Sequence, residues 1–405
     1  MDERFDLNRP EVIQSPYPLF EKMRRDAPVH WNPSVKGWFL TRYFDVRMAL
    51  RDPRFSVEKM SPFADRMGGT KQEKIAFLAE ILGGWMVFKD PPEHTKLRQV
   101  LQGAFMPKPL AAMRPNVEAI AREILDGLGD RTDIDLIQDF GVPLPATVIG
   151  DLCGVPRDKT YKLRLWADDI AKFVLQGRST PDKYDVSYKA LKECVAFYRE
   201  LVADHRANPK DDLISLMIDG GEVGKPMTDD EIVSTLVLIL FAGHETTTNL
   251  IASGMFALLQ NPDQMAKLEA DRSLIPSAVE EFLRFEGPVS TLVRIALEDV
   301  EIGGQRIKKG DRVFASLYAA GHDPEIFEDA KDVDVTRRRN RHMAFGKGIH
   351  LCLGAPLARL EGQVAFEALL ERYTDFKLRG DSLEWRDELI TRGLHALPIS
   401  MRPRF

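Results

Sequence analysis

Cysteine is scarce in this chain. Its 405 residues hold three, Cys153, Cys194 and Cys352, too few and too scattered for a disulfide framework. That excludes a stapled secreted scaffold and fits a reducing, cytoplasmic location. Long apolar runs are missing as well. The longest, near residues 232–243, is too short to cross a bilayer, and Met1 to Arg9 is polar, with no signal core or membrane anchor. Basic charge is not in excess: 56 Lys and Arg face 62 Asp and Glu, a net charge of −6. A nucleic-acid binder would need a surplus of cations against phosphate. Repeats and low-complexity linkers are absent too. What is present, 44% hydrophobic and 29% charged residues, is the composition of a soluble globular protein.

The hydrophobic periodicity is mostly helical. It predicts helices over 92–103, 108–129, 141–153, 157–175 and 184–207, after shorter ones at 18–27 and 44–51. Residues 61–90 read as irregular, ending in Trp85-Met86-Val87-Phe88. Thr228 and Glu231 fit a capping box, opening a helix that runs toward Leu259 and stops before Asn261-Pro262. About thirty residues at ~1.5 Å each span roughly 45 Å, so this helix crosses the core. Further helices are expected at 261–270 and 276–285. Strand-like segments lie at 29–31, 38–41, 292–297, 300–302, 305–307 and 312–317, with Leu394 to Met401 in a terminal hairpin. The expected fold is mainly α with a small β-rich portion, one unit over 1–405 whose β-rich parts lie roughly at 28–60, 290–320 and 375–405.

One stretch organises the rest. Phe345-Gly346-Lys347-Gly348-Ile349-His350-Leu351-Cys352-Leu353-Gly354 sets a cysteine in a glycine-rich turn before the helical pattern Leu357, Leu360, Val364, Leu369. A thiolate there meets the positive end of a helix dipole and free backbone N–H groups. The glycines allow sharp turns and let a flat group approach the backbone. Such a thiolate suits the axial ligand of a heme iron. The pattern Phe-x-x-Gly-x-His-x-Cys-x-Gly resembles the cytochrome P450 family in its soluble bacterial form, and the resemblance extends over essentially the whole chain.

The resemblance implies heme b with iron ligated by Cys352, under the long central helix. Phe345, Gly346, Gly348 and Gly354 would form the ligand loop, and Ala242 and Gly243 would border an oxygen groove. Ala242-Gly243-His244-Glu245-Thr246-Thr247 is a polar cluster inside an apolar helix, where Gly243 permits local widening and Thr246 can bond a freed carbonyl. By resemblance Thr246 donates to dioxygen and Glu245 belongs to the proton relay, while His244 is structural. His94, Arg98, Arg294 and His350 would hold the propionates. Glu281 and Arg284 share a helical face at i, i+3. Glu280 competes for Arg284 at i+4, and the resemblance favours Glu281 with Arg337 as the third member of a structural triad.

Substrate contacts can be placed by position alone: Trp85, Met86, Val87, Phe88, Leu238, Phe241, Ala242, Val289, Ser290, Thr291, Leu292, Leu394, His395 and Ala396. Most are apolar, which suits a hydrophobic small molecule. The implied activity is hydroxylation or epoxidation of a terpenoid, steroid, fatty acid or macrolide by a cytoplasmic monomer. With no flavin or nicotinamide module, electrons would come from a ferredoxin and its reductase. Lys96, Arg339, Arg341 and Lys347 are candidates for a basic dock. The other readings are a peroxide-driven or ring-coupling heme-thiolate enzyme and a non-catalytic heme sensor. The Glu245-Thr246 pair argues for dioxygen activation.

Overall fold

The computed structural model describes residues 5–58, 72–175, 182–221, 224–380 and 383–404. Helices α1 (Pro10–Gln14) and α2 (Tyr17–Asp26) are followed by strands β1 (Val29–Asn32) and β2 (Gly37–Leu40), then α3 (Tyr43–Ala49) and β3 (Phe55–Ser56). Then follow α4 (Gln72–Gly83), α5 (Glu93–Leu101), α6 (Pro107–Gly127), β4 (Asp133–Asp135) and α7 (Pro143–Leu152). After α8 (Thr160–Val174), α9 (Lys183–Ala207) and α10 (Leu213–Asp219) comes the long α11 (Asp229–Gln260). The chain continues with α12 (Pro262–Ala270), α13 (Ile275–Glu286), β5 (Thr291–Ala296), β6 (Val300–Ile302), β7 (Gln305–Ile307), β8 (Arg312–Ser316) and α14 (Leu317–Gly321). It ends with α15 (Ala355–Arg372), β9 (Tyr373–Leu378) and β10 (Pro398–Pro403).

Helix α11 starts as its sequence demands. The Thr228 N–H donates to Glu231 Oε2 at 2.9 Å and the Glu231 N–H to Thr228 Oγ1 at 3.3 Å. Asp229, Asp230 and Glu231 complement the positive end of the helix dipole. Past that turn the helix is buried on nearly every side, from Ile232 to Leu240 and again from Thr247 to Met255. A helix that is apolar all round belongs in a core. The large core gathers Leu236, Val237, Leu240 and Leu250 of α11 with Leu144 and Val148 of α7, Phe282 of α13 and Phe366 of α15.

The β structure sits at the edges of the helical body. One sheet has the order β1-β2-β8-β5-β3, parallel only between β2 and β8. A second runs β4-β10-β9, and β6 and β7 form a hairpin. The first sheet carries its own core of Leu40, Ala296, Val313, Ala315 and Leu317.

Several expectations need correction. Within 61–90, residues 61–71 lie outside the described residues, but 72–83 is a helix rather than irregular chain. Its buried Ile75, Leu78, Ile81 and Leu82 fall on one helical face. The terminal segment pairs antiparallel as expected, with Leu394 bridged to Trp385 and β10 on β9, but the strand itself begins at Pro398 and its other edge pairs with β4. Strand β4, Asp-Ile-Asp, falls outside the expected β-rich parts. Helix α15 begins at Ala355, with Gly354 as its N-cap, so Cys352 precedes the helix. Helix α11 shows no widening at Gly243. An added Cβ there would stand 2.5 Å from Ile149 Cδ1 of α7, so the glycine admits a close neighbour instead. The wide-turn segment is Ile137–Gly141, and its Gly141 carbonyl accepts from Thr248 Oγ1 of α11 at 2.9 Å.

Candidate functional site: a cysteine loop and a cluster of cations

The loop before α15 is shaped by its backbone. Gly346 and Gly348 take φ of 71° and 78°, the left-handed region that favours glycine. The Cys352 N–H donates to the Phe345 carbonyl at 2.9 Å, which closes the turn. Gly354, with φ −80°, needs no such freedom, and a Cβ there would meet nothing within 4 Å. Cys352 is exposed on one side and crowded by protein on the others. Burial raises its thiol above the ordinary value, against the opposing pull of the Gly354 and Ala355 N–H groups and the charges of Arg98 and Arg359. The helix end stabilises the anion as the sequence suggests, but desolvation outweighs it until a metal takes the proton's place.

Sequence reasoning missed a support for this loop. Glu280 does not compete for Arg284. It pairs with Arg359 of α15 at 2.5 Å and with His342 Nε2 at 3.0 Å. Burial would raise the Glu280 carboxyl, but these partners outweigh it and hold it at about 2. The Arg359 guanidinium lies 4.5 Å above the Phe345 ring, a cation–π contact. Glu280, Arg359 and Phe345 thus tie α13 to the carbonyl that anchors Cys352. Arg359 lies in the second turn of α15, and its pairing with Glu280, 79 residues earlier, left no local signal in the sequence.

His94, Arg98, Arg294 and His350 converge from α5, β5 and the cysteine loop. The His94 and His350 rings are 4.2 Å apart. His94 is buried with neither ring nitrogen hydrogen-bonded. Burial, then Arg98, lowers its pKa, and burial, then His94 and Arg294, pushes His350 down to about 3. Burial and the neighbouring guanidiniums disfavour a charge on either ring, and a neutral imidazole still offers one N–H. Burial lowers Arg98, with Cys352 opposing, and takes Arg294 to about 10, so both stay cationic. Arg294 is buried and bonds the Val293 carbonyl at 3.0 Å. Asp90 stands nearby, accepting from the Val57 N–H at 3.1 Å. One buried cation, Arg294, one half-exposed cation, Arg98, and two imidazoles beside a sulfur ligand fit two carboxylates and an iron, the groups that heme b presents.

On α11, Ala242 is exposed and Gly243 and Thr246 are half-exposed, a stripe in an otherwise buried helix. Thr246 Oγ1 donates to the Ala242 carbonyl at 2.7 Å. Glu245 is buried, and its Oε1 accepts from Arg386 Nη1 at 2.7 Å. His244 is buried, and burial, then Arg164 and Arg386, takes its pKa to about 4. Among the described residues no cluster of His, Cys, Asp and Glu forms a separate metal site.

The positions proposed for substrate divide in two. Trp85, Leu238 and Leu394 are buried in the core, and Trp85 stacks between Phe88 and Phe241 at ring distances of 5.8 and 5.2 Å. Met86 and Thr291 are buried as well. Ser290 is buried and donates to the Leu389 carbonyl at 2.6 Å. Val87, Ala242, His395 and Ala396 are exposed, and Phe88, Phe241, Val289 and Leu292 are half-exposed. Only this last group keeps surface that a ligand could cover.

Glu281, Arg284 and Arg337 are brought together in full. Arg284 binds Glu281 with two bonds of 2.8 and 2.7 Å, and Arg337 Nε reaches Glu281 Oε2 at 3.0 Å. Asn340 Nδ2 adds a bond to the same oxygen at 3.0 Å.

Comparison with known proteins shows the family. The sequence model described as Cytochrome P450 matches residues 172–399. The chain is 35% identical to the polyketide biosynthesis cytochrome P450 PksS of Bacillus subtilis, covering 96% of this chain and 97% of that one. Its fold matches P450BioI, solved with a hexadec-9Z-enoic acid-ligated acyl carrier protein, at TM-score 0.89 and 32% identity over 97% of this chain and 100% of that one. It also matches CYP109E1 from Bacillus megaterium in complex with testosterone, at TM-score 0.86 and 32% identity over 97% and 99%. A mostly helical body, a thiolate loop facing a cation cluster and these likenesses define a heme-thiolate oxidoreductase: the chain belongs to the cytochrome P450 family. It is a P450 monooxygenase that binds heme b through the Cys352 thiolate. No helix among the described residues is long and apolar enough to cross a membrane.

Proposed function

We propose that this monooxygenase hydroxylates or epoxidises a hydrophobic small molecule of the terpenoid, steroid, fatty-acid or macrolide class. The balance is one substrate, one dioxygen, two electrons and two protons to one oxygenated product and one water. When bound, the heme supplies the oxidising power and, through its thiolate, the push for O–O cleavage. The chain supplies the rest. Arg98 and Arg294, with N–H donors from His94 and His350, hold the propionates. Phe88, Phe241, Val289 and Leu292 offer an apolar wall, with His395 as a polar contact. The likeness to enzymes solved with a fatty acyl chain and with testosterone supports elongated apolar substrates.

Electrons come from a ferredoxin and its reductase in the cytoplasm, to a monomeric enzyme. Arg339 and Arg341 are exposed and Lys347 half-exposed in the segment before Cys352, and Ile349 and Leu351 beside them are exposed apolar residues. That basic face suits an acidic ferredoxin. Lys96 contributes less, because Glu231 holds it at 2.6 Å.

The observation that carries the dioxygen reading is the acid–alcohol pair of α11, with Thr246 on the open stripe and Glu245 buried behind it. Thr246 Oγ1 donates to the Ala242 carbonyl and Glu245 precedes it in the chain, which supports the pair as the route for protons into the pocket. Thr246→Ala is expected to lower product formed per electron by about tenfold, with hydrogen peroxide making up the difference. That is less than the ~10²-fold a positioned proton donor contributes, since pocket water substitutes in part. Paired assays of NADPH consumed, product and peroxide measure it. Unchanged yield would remove Thr246 from the relay and reopen the peroxide-driven alternative.

A further inference from the structure

The buried acid of the relay has a partner that comes from a distant part of the chain. Glu245 Oε1 and Arg386 Nη1 are 2.7 Å apart, with the carboxylate side chain 10% exposed and the guanidinium side chain 24%. Arg386 therefore reaches from solvent to a carboxyl that solvent scarcely touches. Its loop is firmly seated. The Arg386 N–H donates to the Gly393 carbonyl at 2.9 Å, Trp385 bridges Leu394, and the His395 N–H donates to the Glu384 carbonyl at 3.0 Å. At the other end Arg392 pairs with buried Glu286, stacks 3.7 Å over Trp385, and donates to the Ile13 and Gln14 carbonyls at 2.6 and 2.8 Å. The loop is thus pinned both to the N-terminal segment and to α13.

Charge makes the placement consequential. Glu245 faces Glu388 and Arg386 from the loop, Asp168 from α8, and shares that environment with Arg164 and its neighbour His244. Burial, then Glu388 and Asp168, raises the Glu245 carboxyl well above the usual carboxylate range, while Arg386 pulls it back. Burial and two nearby carboxylates thus favour the protonated acid, and the Arg386 ion pair favours the anion.

We infer that Arg386 is the positioning residue of the proton relay, holding Glu245 by a charged hydrogen bond so that the carboxyl both releases a proton toward Thr246 and regains one from solvent. The inference rests on the assignment of Glu245 to proton delivery. A proton leaves the Glu245 carboxyl as the acid ionises against Arg386, and water at the exposed guanidinium edge returns one.

Arg386→Gln, Arg386→Lys and Glu245→Gln holoenzymes test it. Each is first checked for the reduced carbon monoxide band and for substrate binding by spectral shift, which register loss of folding. Infrared titration of the ferric enzyme then follows the carboxylic-acid band that Glu245→Gln removes. In Arg386→Gln that band should persist to a pH about one to three units higher than in the parent, because a removed cation no longer favours the anion. The alkaline limb of product yield per electron should move the same way, and Arg386→Lys should restore most of both. If Arg386→Gln leaves the band and the pH profile in place while Glu245→Gln uncouples the enzyme, the arginine only braces the loop and the inference falls. If Glu245→Gln leaves coupling intact, the relay assignment itself is what fails, and the inference falls with it.

Discussion

Cys352→Ser is expected to abolish the red-shifted absorption band of the reduced carbon monoxide complex and all monooxygenase turnover. The band reports a thiolate bonded to iron, and a serine hydroxyl does not replace that bond. Heme retention should survive in part, because the propionate partners His94, Arg98, Arg294 and His350 stand on other elements or, for His350, two residues from the ligand. The variant should therefore be coloured but lack the thiolate signature. The turn itself should also hold, since it is closed by the Cys352 N–H on the Phe345 carbonyl and by Gly346 and Gly348, none of which serine alters. Optical spectra with and without dithionite and carbon monoxide measure both points. A variant that kept the band would show that another residue is the ligand.

The legibility of the site follows from locality. The cysteine loop could be read because its chemistry is written in ten consecutive residues, and the capping box of α11 because its two halves lie three residues apart. Glu280 and Glu281 could not be ranked by spacing, since both reach Arg284 on a helix. What separates them is Arg359, 79 residues further on, which takes Glu280 for itself. Arg386 was invisible for the same reason: its partner is 141 residues away. Trp85 and Leu394 sit among open positions in the sequence but are buried in the structure, because stacking on Phe88 and Phe241 and pairing with Trp385 turn them inward. Strand β4 has little β propensity of its own. It forms because β10 offers it a register, Ile399 against Ile134 and Ser400 against Asp133.

Glu281→Ala should cost about 3–5 kcal/mol of stability, the range for removing one partner of a buried ion pair. Both Glu281 and Arg284 side chains are fully buried. Their loss differs from that of an exposed pair such as Arg306–Asp299, whose removal should leave no measurable change. Glu281 accepts from Arg284, Arg337 and Asn340 and from the Asp334 N–H at 2.9 Å, so alanine strands two cations and an amide together. Against a typical total stability of about 5–15 kcal/mol, little folded heme protein should be recovered, and the urea midpoint of what remains should fall sharply. An apolar replacement of the whole triad should not rescue it, although buried ion pairs elsewhere are often replaceable by packed hydrophobes. Arg284 also donates to the Gly321, Ala330 and Asp332 carbonyls at 2.9, 2.8 and 2.7 Å. Those acceptors would be left buried and unpaired, each costing about 1–3 kcal/mol. Arg284→Lys should be nearly as damaging as the glutamate change, because an ammonium cannot grip the carboxylate with two parallel bonds and reach three carbonyls at once. A triple apolar variant as stable as the parent would show that single replacements hurt only by stranding an unpaired charge, and that the carbonyl contacts of Arg284 add no net stability.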